Sequence, residues 1–268
     1  MESPKYLSIN NLKITIFQAY LFWENIDKNL QNIGLRLSMG VKEKTDLIVL
    51  PEMFNTGFSM NASALAEEMG GKTMRWMAEA AKKYDCVITG SLIIHENNNF
   101  YNRMIWMLPD GTHEHYDKQH LFGMGEEDKT YTAGTKRVTV ELKGWKIRLA
   151  ICYDLRFPVF LRNKEEEAYD ILLIIASWPD KRISHWKTLI PARAIENQSY
   201  VVAVNRVGHD GNEVYHSGHS MCIEAYGNTI YYKPEDEDLY TFGISYEELI
   251  KVRRSFPFLK DGDNFSLS

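Results

Sequence analysis

The chain has 268 residues, with 31 Lys and Arg against 36 Asp and Glu and a net charge of −5 when the histidines are neutral. That balance, with no basic run, excludes a general attraction for nucleic acid or anionic lipid, and no apolar stretch approaches the roughly 20 residues of a membrane helix. Three cysteines (Cys86, Cys152, Cys222) without CxxC spacing fit reduced thiols rather than a disulfide framework or a zinc site.

The start Met1-Glu2-Ser3-Pro4-Lys5 has no apolar segment behind a basic one, so a cytoplasmic protein is expected. Leu12-Lys13-Ile14-Thr15-Ile16 alternates as a half-buried strand should, and Trp23, Ile26, Leu30, Ile33 and Leu37 follow at helical steps. Residues 47–50 are an unbroken apolar strand, the pattern of a strand covered on both faces. Met74, Met77, Ala78 and Ala81 mark a second helix, and residues 86–94 the next strand. Asn97-Asn98-Asn99 and Pro109-Asp110-Gly111 turn the chain into strands over 101–108 and 115–118, a meander. Further strands are expected over 138–142, 146–151, 171–175 and 200–204. Between the last two, Trp186, Leu189, Ile190 and Ala194 trace a helical face, and Pro191 inside it predicts a kink or a late start. Gly208 and Gly211 read as a turn. Cys86 and Cys222 sit in apolar runs and read as core. No linker, charge block or repeat interrupts the series, so residues 1–268 read as one domain with a polar and aromatic tail from about residue 255. Helices interleaved with many strands give an α/β protein with mixed, helix-covered sheets.

Three strand ends carry the chemistry. Leu47-Ile48-Val49-Leu50 runs into Pro51-Glu52, His115-Tyr116-Asp117 into Lys118, and Leu149-Ala150-Ile151 into Cys152. A strand end holds a side chain rigidly yet leaves it open to a cleft. A resting thiol has a pKa near 8.5 and needs a base or cation nearby to attack. Glu52 suits the base. Lys118 suits a charge partner and oxyanion donor, and the Tyr153 backbone N–H, just past the thiol, a second donor. His120 lies two positions after Lys118 and offers a rival Cys–His pairing. His209, His216 and His219 lack metal-ligand spacing. No phosphate loop, GxSxG elbow or HExxH occurs. No cofactor and no metal are implied.

The runs Leu50-Pro51-Glu52, Tyr116-Asp117-Lys118-Gln119-His120-Leu121-Phe122 and Ile151-Cys152-Tyr153-Asp154-Leu155-Arg156-Phe157 resemble, in order, the glutamate, lysine and cysteine blocks of the nitrilase superfamily of carbon-nitrogen hydrolases. Ala176-Ser177-Trp178-Pro179, residues 192–198 and Gly218-His219-Ser220 extend the resemblance, and Pro51-Glu52-Met53-Phe54-Asn55-Thr56-Gly57-Phe58 looks most like the omega-amidase branch. The resemblance implies a four-layer alpha-beta-beta-alpha sandwich, a homodimer or higher homo-oligomer in which the tail crosses to a second subunit, and a loop-ordering role for His120. It also implies a second site glutamate, which counting back from Gly134 places at Glu127, with Glu126 one residue away. The implied reaction is hydrolysis of the terminal carboxamide of a small dicarboxylic monoamide, such as 2-oxoglutaramate or 2-oxosuccinamate, through a cysteine thioester. An aliphatic amide or N-carbamoyl-amine hydrolase is the nearer alternative, and a non-catalytic binding protein the farther one. Phe58, Trp178 and Arg156 are expected in the pocket, Arg156 alternatively pairing with Asp154 or Glu196. Arg156, Arg182, Arg193 and Arg206 are the candidates to read a substrate carboxylate.

Overall fold

Apolar alternation and helical periodicity take up most of the chain. The computed structural model describes residues 11–263 and residue 265, so the reading of residues 1–5 and part of that of the tail lie outside the described residues. Strand β1 (Leu12–Gln18) leads to α1 (Ile26–Gly40), β2 (Leu47–Val49), the short α2 (Ala62–Leu65) and α3 (Lys72–Tyr84). The meander β3 (Val87–Glu96), β4 (Asn99–Met107) and β5 (His113–Asp117) follows. After α4 (Glu127–Thr130) come β6 (Thr139–Leu142), β7 (Trp145–Ile151), α5 (Pro158–Leu161), β8 (Ile171–Ala176), α6 (Ile183–Asn197) and β9 (Tyr200–Asn205). Strands β10 (Val207–His209), β11 (Tyr215–Ile223), β12 (Thr229–Pro234) and β13 (Asp238–Ile244) and helix α7 (Tyr246–Ser255) complete the series.

Two mixed sheets result, ordered β13-β1-β2-β3-β4-β5 and β10-β11-β9-β8-β7-β6, with β12 on β11. In each, three central strands run parallel (β1, β2, β3 and β7, β8, β9) and the flanks are antiparallel. Period-two burial sorts the residues of β2 into different layers. Leu47 and Val49 join the core shared with the second sheet, while Ile48 and Leu50 pack with Ile33 and Leu37 of α1 and Met74 and Met77 of α3. On the other side, Trp186, Ile190 and Ala194 of α6 join the core of the second sheet, where the helix lies against β9 and β11. The order helix, sheet, sheet, helix is the four-layer sandwich.

Two expectations need correction. Helix α6 begins at Ile183 and carries Pro191 in its interior, so there is no late start; burial of Trp186, Ile190 and Ala194 outweighs the backbone bond that proline forgoes. Gly208 lies in β10 rather than in a turn, at φ +83°, where a Cβ would collide with the Tyr20 ring. The tail begins where α7 ends, at Ser255, and a 3₁₀ turn spans Phe258–Asp261 within it.

Candidate active site

The parallel strands deliver the polar residues to one end of the sandwich, where clefts form in α/β sheets. Glu52 follows β2, Ser177 follows β8, Lys118 follows β5 and Cys152 follows β7. Glu127 opens α4, and Gly134 seats the loop behind it. The Gly134 N–H bonds the Lys118 carbonyl at 2.9 Å, and a Cβ there would lie 2.2 Å from the Asp117 carbonyl oxygen.

Lys118 Nζ donates to Glu52 Oε1 at 2.8 Å and to Glu127 Oε2 and Oε1 at 2.8 and 3.0 Å, with all three side chains fully buried. Asn102 Nδ2 bridges the same two carboxylates, 2.8 Å from Glu52 Oε1 and 3.2 Å from Glu127 Oε1. The Ser177 N–H donates to Glu52 Oε2 at 2.7 Å and the Phe122 N–H to Glu127 Oε2 at 2.7 Å. Each carboxylate is thus held by several donors, which is what lets charge remain buried. Burial opposes the Lys118 ammonium, but the Glu127 and Glu52 charges outweigh it and hold its pKa well above the ordinary lysine value. Burial pushes the Glu127 carboxyl up, against the Lys118 charge. Burial, then the Glu52 charge, push the Cys152 thiol well up while Lys118 pulls it down, so the resting group is a thiol. Of the two neighbouring glutamates, Glu127 joins this row, whereas Glu126 is exposed and pairs with Lys129.

Cys152 sits at an elbow. The strand β7 ends at Ile151, Cys152 takes φ +45°, and a 3₁₀ turn runs over Cys152–Arg156. A left-handed backbone at a non-glycine residue is strained by about 1–3 kcal/mol and persists only where neighbours fix it. Asp154 supplies the fixing: its Oδ2 accepts from the Ile151 N–H at 2.9 Å and the Tyr116 hydroxyl at 2.7 Å, and its Oδ1 from His120 N and Nδ1 at 3.1 and 2.8 Å. His120 stacks on Phe157 at 3.8 Å. It therefore braces the turn through Asp154, and Asp154 is not available to Arg156. Glu196, the other proposed partner, pairs with Arg193 instead.

A cavity of about 850 Å³ opens over the thiol, with Lys118, Phe58, Tyr153, Arg156, Trp178 and Arg182 in its walls. Phe58 faces Lys118, its ring 5.2 Å from Nζ. Trp178 is buried, its Nε1 donating to the Arg182 carbonyl at 2.8 Å, with the Arg156 guanidinium 4.6 Å above its ring. Of the four arginines, Arg156 and Arg182 line the cavity. Arg193 is buried against Leu155 and Glu196, and Arg206 against the carbonyls of Val207 and His209. Among the described residues no group of three or more His, Cys, Asp or Glu is arranged to hold a metal ion. Cys86 and Cys222 are buried away from this cavity, and burial pushes the Cys86 thiol up to about 12. Asn102 and Ser177 were not assigned roles from sequence; Asn102 is one of many polar residues inside a strand, and no local pattern marks it.

A thiol at a strand-end elbow, backed by a buried carboxylate–ammonium–carboxylate row and bordering a cavity, is an arrangement suited to nucleophilic attack on an acyl carbon. The carbon-nitrogen hydrolase family model matches residues 13–254. The chain is 40% identical to the omega-amidase YafV of Yersinia enterocolitica, covering 97% of this chain and all of that one. It is 35% identical to the 2-oxoglutaramate amidase of Bacillus subtilis, over 81% of this chain and 84% of that one. The crystal structure of XC1258 from Xanthomonas campestris, a CN-hydrolase superfamily protein with an arsenic adduct in its active site, superposes with a TM-score of 0.94 at 41% identity, covering 97% of this chain and 100% of that one. The chain belongs to the carbon-nitrogen hydrolase family.

Proposed function

We propose that the chain hydrolyses the terminal carboxamide of small dicarboxylic acid monoamides, of the 2-oxoglutaramate or 2-oxosuccinamate type, to the acid and ammonia. The observation that carries the reading is the buried row Glu52, Lys118, Glu127 behind the Cys152 thiol, in a chain whose relatives are an omega-amidase and a 2-oxoglutaramate amidase. In the proposed mechanism Glu52 takes the thiol proton as Sγ attacks the amide carbon. Lys118 and the Tyr153 N–H hold the oxyanion. Glu52 returns the proton to the leaving nitrogen, ammonia departs, and a thioester remains. Water, deprotonated by Glu52, then releases the acid. Glu127 keeps Lys118 in place, and Phe58, Trp178 and Arg156 shape the pocket. The high resting thiol pKa fits this order, since the proton needs to move only when substrate is in place.

The single-domain reading is supported by a family match that runs across both sheets, and the cytoplasmic one by three unpaired thiols. Among the described residues no helix is long and apolar enough to cross a membrane. A homodimer or larger homo-oligomer is inferred from the resemblance, and light scattering in solution tests it. The function is tested by ammonia release across omega-amides, plain aliphatic amides, ureido acids and nitriles, with mass spectrometry of the intact protein for the acyl adduct. Omega-amides bearing a free carboxylate should lead the panel. Ureido acids or plain amides leading it would replace this reading with the alternative.

A further inference from the structure

The cavity wall holds charges of both signs, and they differ in what they already touch. Glu24 accepts from the Ser59 hydroxyl at 2.6 Å, Asp180 from the Ser217 hydroxyl at 2.6 Å, and Asp210 from the N–H groups of Asn212 and Val214 at 2.8 and 3.0 Å. The acidic side is largely satisfied. On the basic side, Arg156 lies over Trp178 with Nη1 3.1 Å from His185 Nδ1. Arg182 has only the face of Phe122, 4.9 Å from its Cζ, and among the described residues neither arginine has a carboxylate within ion-pair distance. A half-desolvated guanidinium with no counter-ion, beside a second one, is a site short of an anion.

Its base is fixed. The Arg182 N–H donates to the Pro179 carbonyl at 3.0 Å, and its own carbonyl accepts from Trp178 Nε1 at 2.8 Å. Helix α6 starts at the next residue with no acidic side chain in its first turn, adding positive potential to the same spot. Arg182 also feels the reacting sulfur. Burial lowers its pKa, a negative Cys152 would raise it, and the Arg156 charge lowers it. Phe122 carries the guanidinium over its ring and meets Tyr153, the neighbour of Cys152, edge-on at 5.2 Å. Aromatic contacts therefore link the residue after Cys152 to the arginine.

We propose that Arg182 binds the free carboxylate of the substrate, with the methylene chain lying over Phe122 and Tyr153 and the amide carbon at Cys152 Sγ. This rests on the amidase reading above and names the group that makes it selective. Arg156, stacked on Trp178 and engaged with His185, contributes charge without the contact.

The test compares kcat/KM for succinamate with that for butyramide, which carries a methyl group where succinamate carries its carboxylate, by ammonia release from the full chain. The ratio of the two does not depend on how much of a variant folds. Arg182→Gln should lower it by about two orders of magnitude, the scale of a lost charged hydrogen-bond pair. Arg182→Lys, milder for folding, should lower it less, because charge survives while the planar fork is lost. Arg156→Gln should lower it least. A high ratio in the parent that both Arg182 variants leave unchanged would overturn the proposal alone, as would a larger fall in Arg156→Gln. A parent ratio near one would remove the dicarboxylate reading, and the proposal with it.

Discussion

Removing one sulfur atom separates chemistry from packing. Cys152 borders a cavity and contributes little core, so Cys152→Ala should abolish turnover with the melting temperature unchanged, whereas Cys222→Ala, wholly buried in β11, should lower stability by about 1 kcal/mol and spare the rate. Residual hydrolysis above about one per cent in Cys152→Ala would exclude it as nucleophile. Lys118→Met tests the electrostatics of the row. Burial and the Glu52 charge already push the thiol up, and Lys118 is the opposing pull. Without it the thiolate fraction at neutral pH should drop, so iodoacetamide should label Cys152 about tenfold more slowly or worse. A single oxyanion donor is typically worth about 10²–10³ in rate, and kcat should fall by that much. Labelling as fast as in the parent would mean that Lys118 does not tune the sulfur. Glu52 and Cys152 were legible because each ends an apolar strand, and Lys118 because it ends a short strand within the lysine block of the resemblance. Asn102 was not, because a mid-strand asparagine looks the same in sequence whether it faces solvent or bridges two carboxylates.

At the scale of elements, the turn that carries Cys152 depends on one carboxylate that collects four donors from β7, from β5 and from the loop after it. Burial, then the Asp154 charge, keep the Tyr116 phenol protonated and donating, its pKa well above the ordinary tyrosine value. Every group facing Asp154 is therefore a donor. In Asp154→Asn an amide NH₂ would oppose N–H or O–H, leaving buried donors unpaired at about 1–3 kcal/mol each. The urea midpoint should fall accordingly and turnover with it, while Tyr116→Phe, which leaves three of the four bonds, should show a smaller loss of both. Equal stability of Asp154→Asn and the parent would mean the elbow is held by something else. The sequence displayed the strand and the cysteine but not this brace, since the partners come from a different strand pair. The same limit hid the last quarter of the fold. Strand β11 buries Ser217, His219 and Ser220 among its apolar residues, and these polar side chains and backbones find partners in Asp180, Tyr232 and Gln18. Apolar runs and period-two hydrophobicity, the signals that found most of β1 to β9, are erased where buried positions are polar. Strands β12 and β13 hide for the opposite reason, as their exposed hydrophobics Ile230, Tyr232 and Tyr240 alternate with buried ones only loosely.

For the molecule as a whole, the sandwich places a buried histidine in the wall of its own cavity, and this ties folding to pH. His216 of β11 is almost fully buried, with Nδ1 donating to the Gly208 carbonyl at 3.2 Å. Burial, then the charge of Arg206, lower its pKa to about 4, with Asp210 pulling the other way. The folded protein thus holds a neutral imidazole where the unfolded chain, with an ordinary value near 6.5, takes up a proton. Between those two values the unfolded state binds more protons, so stability rises with pH across that window and is fully present above it. Acidification from neutral to about pH 4 should therefore cost about 3 kcal/mol through this residue, on top of what other groups contribute. His216→Gln keeps a donor for the Gly208 carbonyl and cannot titrate. Urea midpoints measured at several pH values should give a curve for the variant that is flatter than the parent's below pH 6.5 and parallel to it above. Parallel curves down to pH 4 would show that the imidazole is protonated in the folded state, with the cavity wall open to water at that point rather than closed as the sandwich presents it.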